Sequence, residues 1–350
     1  MNIDGIHTAA SVLSVDPPII YVRPRPQPFG LAGLLAARNP GLAFTCLVRT
    51  MWTLEAGTGL AEVTFTYHRF RELHPHIAIH VMANTETELA LLKDRGINAV
   101  LANHNMFVDE TVFRPRPEIQ RVYDAVYNAN FSPFKRRELA AEIPRCVHIG
   151  YAADPESKDD MRGAFLAARA LLPRHHFLNP HTDDSVKRLG PNEVNHVLVR
   201  AHVGLCLSEV EGPMVASIEY LMAGLPVVTT PNTGGRDRYF TGLTALVAEP
   251  NPRAIRLAVE AMRARAIPPD AVRETTLKLV DRDRATFNDF IGTLRQGRPA
   301  IGSDARWPFD YTGNLYKWKR VVDFARMLGL APEPAAVIAE APWYAGDETA

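Results

Sequence analysis

The chain has 350 residues, enough for two domains of ordinary size, and 47% of them are hydrophobic. Basic and acidic residues are equal in number, 39 of each, which excludes a partner held mainly by counterion release, so no nucleic acid is expected. The three cysteines are widely spaced and predict neither a disulfide framework nor a closed zinc site, which favours the cytoplasm as the compartment.

No signal for secretion or membrane insertion is expected from the sequence. The N-terminus carries Asp4 where a signal peptide would carry positive charge, and no apolar run approaches the ~18 residues that span a bilayer. Basic side chains cluster in three places, and such clusters can contact an anionic membrane surface. The simpler interpretation is that they lie on solvated faces of the protein. These clusters are Arg23 with Arg25, Lys135 to Arg137, and Lys317 with Lys319 and Arg320.

Short apolar, β-rich runs alternate with helical patterns along the chain, which is typical of a parallel sheet covered by helices, so the predicted fold class is α/β. In the first third, strands are predicted at residues 17–24, 42–50, 76–84 and 97–103. The clearest helix begins after Thr85, which forms a capping-box pattern with Glu88, and ends before Gly96.

A connector is predicted where Pro115 and Pro117 interrupt regular structure. The alternation then restarts, with strands near 122–128, 146–152, 175–179, 204–208, 225–230 and 245–249 and helices near 158–172, 213–223 and from about 250. We therefore predict an N-terminal domain at 1–117, a C-terminal domain at 118–296 and a helical tail at 297–350 that packs back across them. The expected ligand site is the cleft between the domains, at the carboxyl ends of the strands.

The most informative segment is residues 204–230, which predicts a strand, a loop, a helix and a second strand. Gly212 lets the backbone approach a ligand, and Pro213 suits a first helical turn, so the loop offers free N–H groups to an anion. Glu211 and Glu219 are eight residues apart, or about 80° around a helix, and both can face one ligand. Alternatively, Glu211 stabilises the helix dipole and Glu219 forms a surface salt bridge.

This segment resembles the signature of the retaining glycosyltransferases of family 4, which have the GT-B fold of two Rossmann-like domains. The matching features are Glu211 and Glu219 flanking seven residues, the run AGLPVV at 223–228, and Gly234 with Gly235. The resemblance implies that Glu219 holds the ribose of a sugar nucleotide and that Glu211 contacts the donor sugar. It also implies that the diphosphate faces the amides of the stretch Gly212, Pro213, Met214 and Val215.

A second match is ANFSPFKR at residues 129–136, which is similar to the family's Gly-Arg-x-x-Pro-x-Lys-Gly stretch. The family's arginine and lysine neutralise the donor diphosphate, and Lys135 matches the lysine. Asn130 stands at the arginine position, where it can donate a hydrogen bond but carries no charge. Arg136 or Arg137 could supply that charge, but we interpret both as lying on a solvated helix face.

A third match is NMFVDETVFRPRP at 105–117, which resembles the family's connector between domains. The resemblance extends over about residues 76–262, and the N-terminal domain is shorter than the family's usual one. Gly30 and Gly33 are candidates for a glycine loop beside the acceptor, although glycines are common in strand-to-helix turns. The histidines of this domain match no family position and are expected to be structural: His68, His74, His76, His80 and His104.

The resemblance implies a hexosyltransferase that moves a sugar from a nucleoside-diphosphate sugar to an acceptor hydroxyl with retention. Glu211 and Lys135 would be its catalytic residues, with Lys135 and the helix after Gly212 stabilising the leaving diphosphate. No cofactor or metal is expected, since the Asp281-Arg282-Asp283 triplet is interpreted as solvated surface. The expected partners are a nucleotide sugar and a carbohydrate or lipid-linked acceptor, in bacterial polysaccharide or glycolipid synthesis.

Two alternatives remain open. One is a catalytically weak or inactive relative that binds a nucleotide or a partner, which Asn130 favours, and the other is a nucleotide-sugar epimerase. Other common classes are disfavoured because the chain lacks the G-x-G-x-x-G pattern of a dinucleotide site, the G-x-S-x-G elbow of hydrolases and the Walker lysine.

Overall fold

The computed structural model describes residues 3–25, 27–151, 158–182, 186–295 and 317–330. The chain divides into two compact units, which we call unit 1 (residues 1–107 and 282–350) and unit 2 (residues 108–281). Of the predicted tail, only residues 317–330 lie within the described ranges. The predicted domain limits at 117 and 296 stay predictions.

Within the described ranges there are twelve strands: β1 (His7–Val15), β2 (Pro18–Val22), β3 (Thr45–Arg49), β4 (Ala78–Ala83), β5 (Ala99–Leu101), β6 (Tyr123–Asn128), β7 (Cys146–Ile149), β8 (His176–Phe177), β9 (Ala201–Cys206), β10 (Val227–Thr229), β11 (Ala245–Val247) and β12 (Lys317–Arg320). The same ranges hold nine α-helices: α1 (Leu31–Arg38), α2 (Gly59–Leu73), α3 (Glu86–Lys93), α4 (Lys158–Leu171), α5 (Pro191–Leu198), α6 (Val215–Met222), α7 (Pro252–Ala264), α8 (Pro269–Leu294) and α9 (Val321–Met327). None of these helices combines the length and the apolar character that crossing a membrane requires.

Unit 1 is built on a sheet with the strand order β12-β1-β2-β3-β4-β5. Strands β2 to β5 are parallel, and they confirm the four strands predicted in the first third of the chain. Their apolar runs are buried because helices cover a parallel sheet on both faces, and β2 and β3 are buried at every position after the first.

Two strands of this sheet differ from the prediction. Strand β1 was not predicted, and residues 317–320, predicted as helix, form β12, with the helix α9 beginning only at Val321. Both strands lie antiparallel to a neighbour, β1 beside β2 and β12 beside β1, with Trp318 opposite Ala9. For β12, the hydrogen bonds to the distant strand β1 outweigh local helical preference, whereas β1 pairs with β2 across a short turn.

The N-cap of α3 is confirmed, but the glutamate of its capping pattern has another role. The Thr85 side chain accepts a hydrogen bond from the Glu88 N–H at 3.0 Å, and Gly96 adopts the left-handed conformation after the helix. The buried Glu88 carboxylate accepts from the backbone N–H groups of Asn84 at 2.7 Å and Leu54 at 2.9 Å. Glu88 thus joins the loop after β3 to the end of β4.

Unit 2 is built on a fully parallel sheet with the order β11-β10-β9-β6-β7-β8. The chain runs from β6 outward to β8, then returns to the other side of β6 and runs outward again to β11. The order therefore reverses between β6 and β9, which is where ligands bind in open parallel sheets. Both units are Rossmann-like α/β structures, which confirms the predicted fold class.

Candidate functional site

The loops that follow β6 and β9 meet at the carboxyl edge of the unit 2 sheet, because these two strands are parallel neighbours. Lys135 comes from the first loop and Glu211 from the second, and their side chains form a buried ion pair, with the residues only 5% and 4% exposed. The Lys135 ammonium and the Ser208 hydroxyl both donate to Glu211 Oε1, the hydroxyl at 2.9 Å. The structure thus brings the two predicted catalytic residues together.

Lys135 is placed by a short 3-10 turn, Pro133–Lys135, that follows β6. The Tyr127 hydroxyl, reaching up from β6, donates a hydrogen bond to the Lys135 carbonyl and holds the end of this turn. Burial lowers the pKa of Lys135, and the nearby Glu211 carboxylate opposes that shift without cancelling it. The positive charge of Lys135 therefore depends on its partner Glu211.

Arg136 and Arg137 do not lie on a solvated helix face, so that interpretation is wrong. Arg136 has a positive φ of 49°, which ends the 3-10 turn and redirects the chain. Its guanidinium donates to the Leu207 carbonyl at 2.6 Å and to the Thr230 hydroxyl at 2.8 Å. Arg137 is only 4% exposed. The backbone turn at Arg136 thus directs both side chains into the unit.

Asn130 uses its side chain to close its own loop. Its Oδ1 accepts a hydrogen bond from the Ser132 N–H at 3.3 Å. The backbone carbonyls of Ala129 and Asn130 accept hydrogen bonds from Arg137, the second at 3.1 Å. The position that bears an arginine in the family motif therefore holds a neutral side chain above a buried guanidinium.

The stretch after Glu211 leads into α6, although Pro213 precedes the helix and does not lie in its first turn as predicted. Gly212, Pro213 and Met214 are buried, and α6 begins at Val215, which is exposed. Met214 has a positive φ of 41° and is the residue at which the loop turns into the helix. The first N–H groups of a helix have no partner within the helix, so this stretch presents donors beside the Lys135–Glu211 pair.

Glu219 lies on α6 and is half-buried rather than fully solvated. Its Oε2 accepts a hydrogen bond of 2.9 Å from the Asn128 side chain at the end of β6. Burial raises the pKa of Glu219 to about 7, while Arg188 and the bond from Asn128 act in the opposite direction. The carboxylate that the family motif assigns to a ribose is therefore held by a neutral amide at the edge of the sheet.

Asn128 and Tyr220 belong to this site but were not predicted from the sequence. The Tyr220 hydroxyl accepts a hydrogen bond of 2.6 Å from the Asn128 N–H, which fixes the end of β6 against α6. Tyr220 has room only because residue 204 of β9 is glycine, since a Cβ at Gly204 would lie 2.4 Å from the tyrosine ring. A polar residue at the end of a buried strand was the signal available for Asn128.

Arg236, also not predicted, is fully buried and joins the ends of β9 and β10. It follows Gly234 and Gly235, the first of which has a φ of 112°. Its guanidinium donates to the Ser208 carbonyl at 2.6 Å, the Thr229 hydroxyl at 2.6 Å, the Thr230 carbonyl at 2.7 Å and Asp237 at 2.7 Å. The arginine therefore fixes the loop that carries Ser208 and Glu211.

Cys146, His148 and His175 form a cluster whose potential metal-ligand atoms lie within 4.8 Å of one another. Arg137 Nη1 lies 2.9 Å from His148 Nδ1, and an arginine can only donate, so Nδ1 is unprotonated. In a neutral imidazole the proton is then on Nε2, which lies 2.9 Å from His175 Nδ1 and donates to it. Burial keeps the pKa of His148 well below its usual value. The protonated Nε2 leaves His148 without a free ligand atom, so Arg137, His148 and His175 form a hydrogen-bonded chain.

In unit 1, Gly30 precedes the first residue of α1 and Gly33 lies in the first turn of that helix. Gly30 has a φ of 54°, and a Cβ there would lie 2.8 Å from the Arg23 carbonyl. A Cβ at Gly33 would lie 2.4 Å from the Pro28 carbonyl. A cavity of about 130 Å³ lies beside this turn. The close backbone contacts explain both glycines without reference to an acceptor.

His104 and Asp283, a predicted structural histidine and a predicted solvated carboxylate, both belong to unit 1. The His104 ring is partly buried and forms a 2.9 Å hydrogen bond with the Tyr21 hydroxyl. Desolvation, and then Arg49 and Arg23, hold its pKa well below its usual value. This agrees with a structural histidine. The Asp283 side chain, on α8, is only 11% exposed, so the interpretation of its triplet as solvated is wrong for this residue.

No protein-family profile and no curated protein matches the chain. Among solved structures, HepE from Anabaena in complex with UDP is similar with a TM-score of 0.52 and 14% identity, over 73% of both chains. Sucrose-phosphate synthase from Thermosynechococcus elongatus has a TM-score of 0.50 and 18% identity, over 73% of this chain and 67% of its own. A glycosyltransferase from Rickettsia africae has a TM-score of 0.51 and 12% identity, over 78% of this chain and 76% of that protein's chain. At such identities the likeness shows the fold, which is the GT-B fold.

Proposed function

We propose that this chain is a glycosyltransferase that transfers a hexose from a nucleoside-diphosphate sugar to an acceptor hydroxyl, with retention at the anomeric carbon. The observation that carries the proposal is the buried Lys135–Glu211 pair beside the N-terminus of α6, at the switch point of the unit 2 sheet. The fold shared with glycosyltransferases, one of them solved with UDP, supports it.

The donor binds through the groups at the carboxyl edge of unit 2. Glu219, oriented by Asn128, accepts hydrogen bonds from the ribose hydroxyls, and Glu211 contacts the sugar. The backbone from Gly212 to Val215 binds the diphosphate at the positive end of α6. The assignment of these roles follows the motif resemblance, and the placement of the side chains is compatible with it.

The reaction breaks the bond between the anomeric carbon and the β-phosphate oxygen. The acceptor oxygen forms the new bond on the same face of the sugar, and the proton of the acceptor hydroxyl passes to the leaving diphosphate. Negative charge grows on the leaving diphosphate as the bond breaks. Lys135 and the N–H groups before α6 lie in fixed positions to stabilise that charge, so no metal is needed. The acceptor is a carbohydrate or a lipid-linked sugar of bacterial polysaccharide or glycolipid synthesis.

Nucleotide binding is the first test of this proposal. We expect one of UDP, GDP, ADP, dTDP and CMP to raise the thermal unfolding temperature, equally with magnesium and with EDTA. A ligand at 100 times its Kd adds about 2.7 kcal/mol to the free energy of unfolding. Glu219→Ala should abolish the shift, whereas Glu260→Ala, which removes an exposed carboxylate on α7, should retain it. The absence of a shift with all five nucleotides would contradict the proposal.

A catalytically weak nucleotide-binding protein is the second candidate, and Asn130 is the observation that favours it. Its neutral side chain bonds to Ser132 within its own loop. Incubation with the matching nucleotide sugar separates the candidates: a transferase releases the nucleoside diphosphate when an acceptor is present, an epimerase converts the donor alone, and a binding protein leaves it unchanged.

A further inference from the structure

The charges around the Lys135 loop, at the carboxyl edge of unit 2, do not balance. Three cationic side chains come from this loop and one from the loop after β10: Lys135, Arg136, Arg137 and Arg236. Three of them have a carboxylate partner, namely Glu211 for Lys135, Glu209 for Arg136 at 3.5 Å and Asp237 for Arg236 at 2.7 Å. Within the part of the chain that the structure describes, Arg137 forms no ion pair. A buried charge without a counter-charge is costly, so the unpaired positive charge of Arg137 calls for an explanation.

Arg137 lies directly under the loop that carries Asn130. Its Nη2 donates to the carbonyls of Ala129 and Asn130. The guanidinium also lies over the rings of Tyr127, at 5.0 Å from the ring centroid, and Phe131, at 4.6 Å. These contacts hold the guanidinium in one place and compensate part of its desolvation, but they contribute no negative charge.

These hydrogen bonds also set the direction of the loop's peptide groups. In a trans peptide the C=O and the N–H point to opposite sides, so turning the Ala129 carbonyl toward Arg137 turns the Asn130 N–H away from it. Among the described residues no acceptor binds this N–H. Gly150 permits the arrangement, because a Cβ there would lie 2.3 Å from the Ala129 carbonyl and 3.1 Å from Arg137 Nη2.

We infer that Arg137 is a positioning residue that replaces the arginine side chain missing at residue 130. Its buried charge makes the loop electropositive, and its hold on the two carbonyls presents the Asn130 N–H to the donor diphosphate. This inference rests on the proposed function, since the ligand is the diphosphate of a nucleotide sugar. With Arg137 in this role, a donor site can bind the diphosphate although residue 130 is asparagine.

The test compares ligands that differ only in their phosphates. Binding of UDP, UMP and uridine, or the same series with the base that the panel above selects, is measured by calorimetry for the wild type and for Arg137→Met. We expect the substitution to weaken UDP binding 10- to 100-fold, about 1.4 to 2.8 kcal/mol, and to change uridine binding less than threefold. Adding Asn130→Arg to Arg137→Met should restore UDP binding to within fivefold of the wild type.

Other outcomes would overturn the inference. Equal losses for UDP and uridine would mean that Arg137 only supports the fold, and unchanged UDP binding would mean that its charge is not used. If Arg137→Met does not fold, the single variant Asn130→Arg is the test. We expect it to increase the affinity for UDP less than threefold, because Arg137 already supplies the charge. A tenfold increase in affinity would contradict the inference. If the wild type binds no nucleoside diphosphate, the proposed function fails and the inference fails with it.

Discussion

Lys135 is the residue on which the proposed chemistry depends most, because its ammonium is the cation paired with the buried Glu211 carboxylate. We expect Lys135→Ala to lower turnover by roughly two to three orders of magnitude, comparable to the loss of one oxyanion donor. Lys278→Ala, on an exposed position of α8, is the matched control and should keep normal turnover. The measurement is the rate of sugar transfer at saturating donor.

Stability must be separated from catalysis in this variant. Removing one partner of a buried ion pair costs roughly 3–5 kcal/mol, because Glu211 would remain buried and charged. The double variant Lys135→Ala/Glu211→Ala should recover much of that loss in urea unfolding while turnover stays low. Near-normal turnover of a folded Lys135→Ala would show that the diphosphate is bound elsewhere.

At the scale of elements, the contact between β9 and α6 positions the polar edge of unit 2. Gly204→Ala would place a methyl group 2.4 Å from the ring of Tyr220, whose hydroxyl is bonded to Asn128. We expect a loss of about 1–3 kcal/mol in the free energy of unfolding, as for other overpacked cores. Urea unfolding at constant pH is the measurement.

The chain offers a matched glycine for this experiment. Gly163 lies on α4 and is exposed, and a Cβ added there would have no atom within 4 Å. Gly163→Ala should therefore stabilise the protein by roughly 0.5–1 kcal/mol through helix propensity. If Gly204→Ala were as harmless as this control, the close packing of β9 on α6 would not hold the site together.

For the whole molecule, the buried histidines set the response to acid. The pKa values of His148 and His104 lie well below 6.5 in the folded protein because of burial, so the unfolded chain binds more protons below pH 6.5. Stability must then fall as the pH drops below that value, by up to about 1.4 kcal/mol per pH unit for each histidine. Glu219 has the opposite effect on stability, because its pKa rises to about 7 on folding. The stabilisation that it contributes at low pH is lost as the pH rises from 4.5 to 7.

Urea midpoints measured from pH 5 to pH 8 check these signs. His148→Gln should make the loss of stability toward acid shallower, and Glu219→Gln should make it steeper. A slope that did not respond to His148→Gln would show that this histidine is protonated in the folded protein.

The sequence was sufficient to predict most elements, because apolar periodicity, caps and turns are properties of neighbouring residues. The parallel strands of both sheets and the cap at Thr85 followed from such patterns. The motif resemblance also placed Lys135 and Glu211 in one predicted site. Strand β12 was beyond this reasoning, since its partner β1 is distant in the chain; β1 itself pairs with its chain neighbour β2 and was missed by the pattern.

What the sequence by itself determined was the α/β order of the elements and the identity of the residues at the carboxyl edge of unit 2. Only the tertiary structure decided where Arg136 and Arg137 point, that Asn128 holds Glu219, and that Arg236 joins two strand ends. The physical reason is that burial and hydrogen bonding of a long polar side chain depend on residues distant in the chain, 94 positions away in the case of Arg136 and Thr230. Such contacts leave no periodic pattern in the chain.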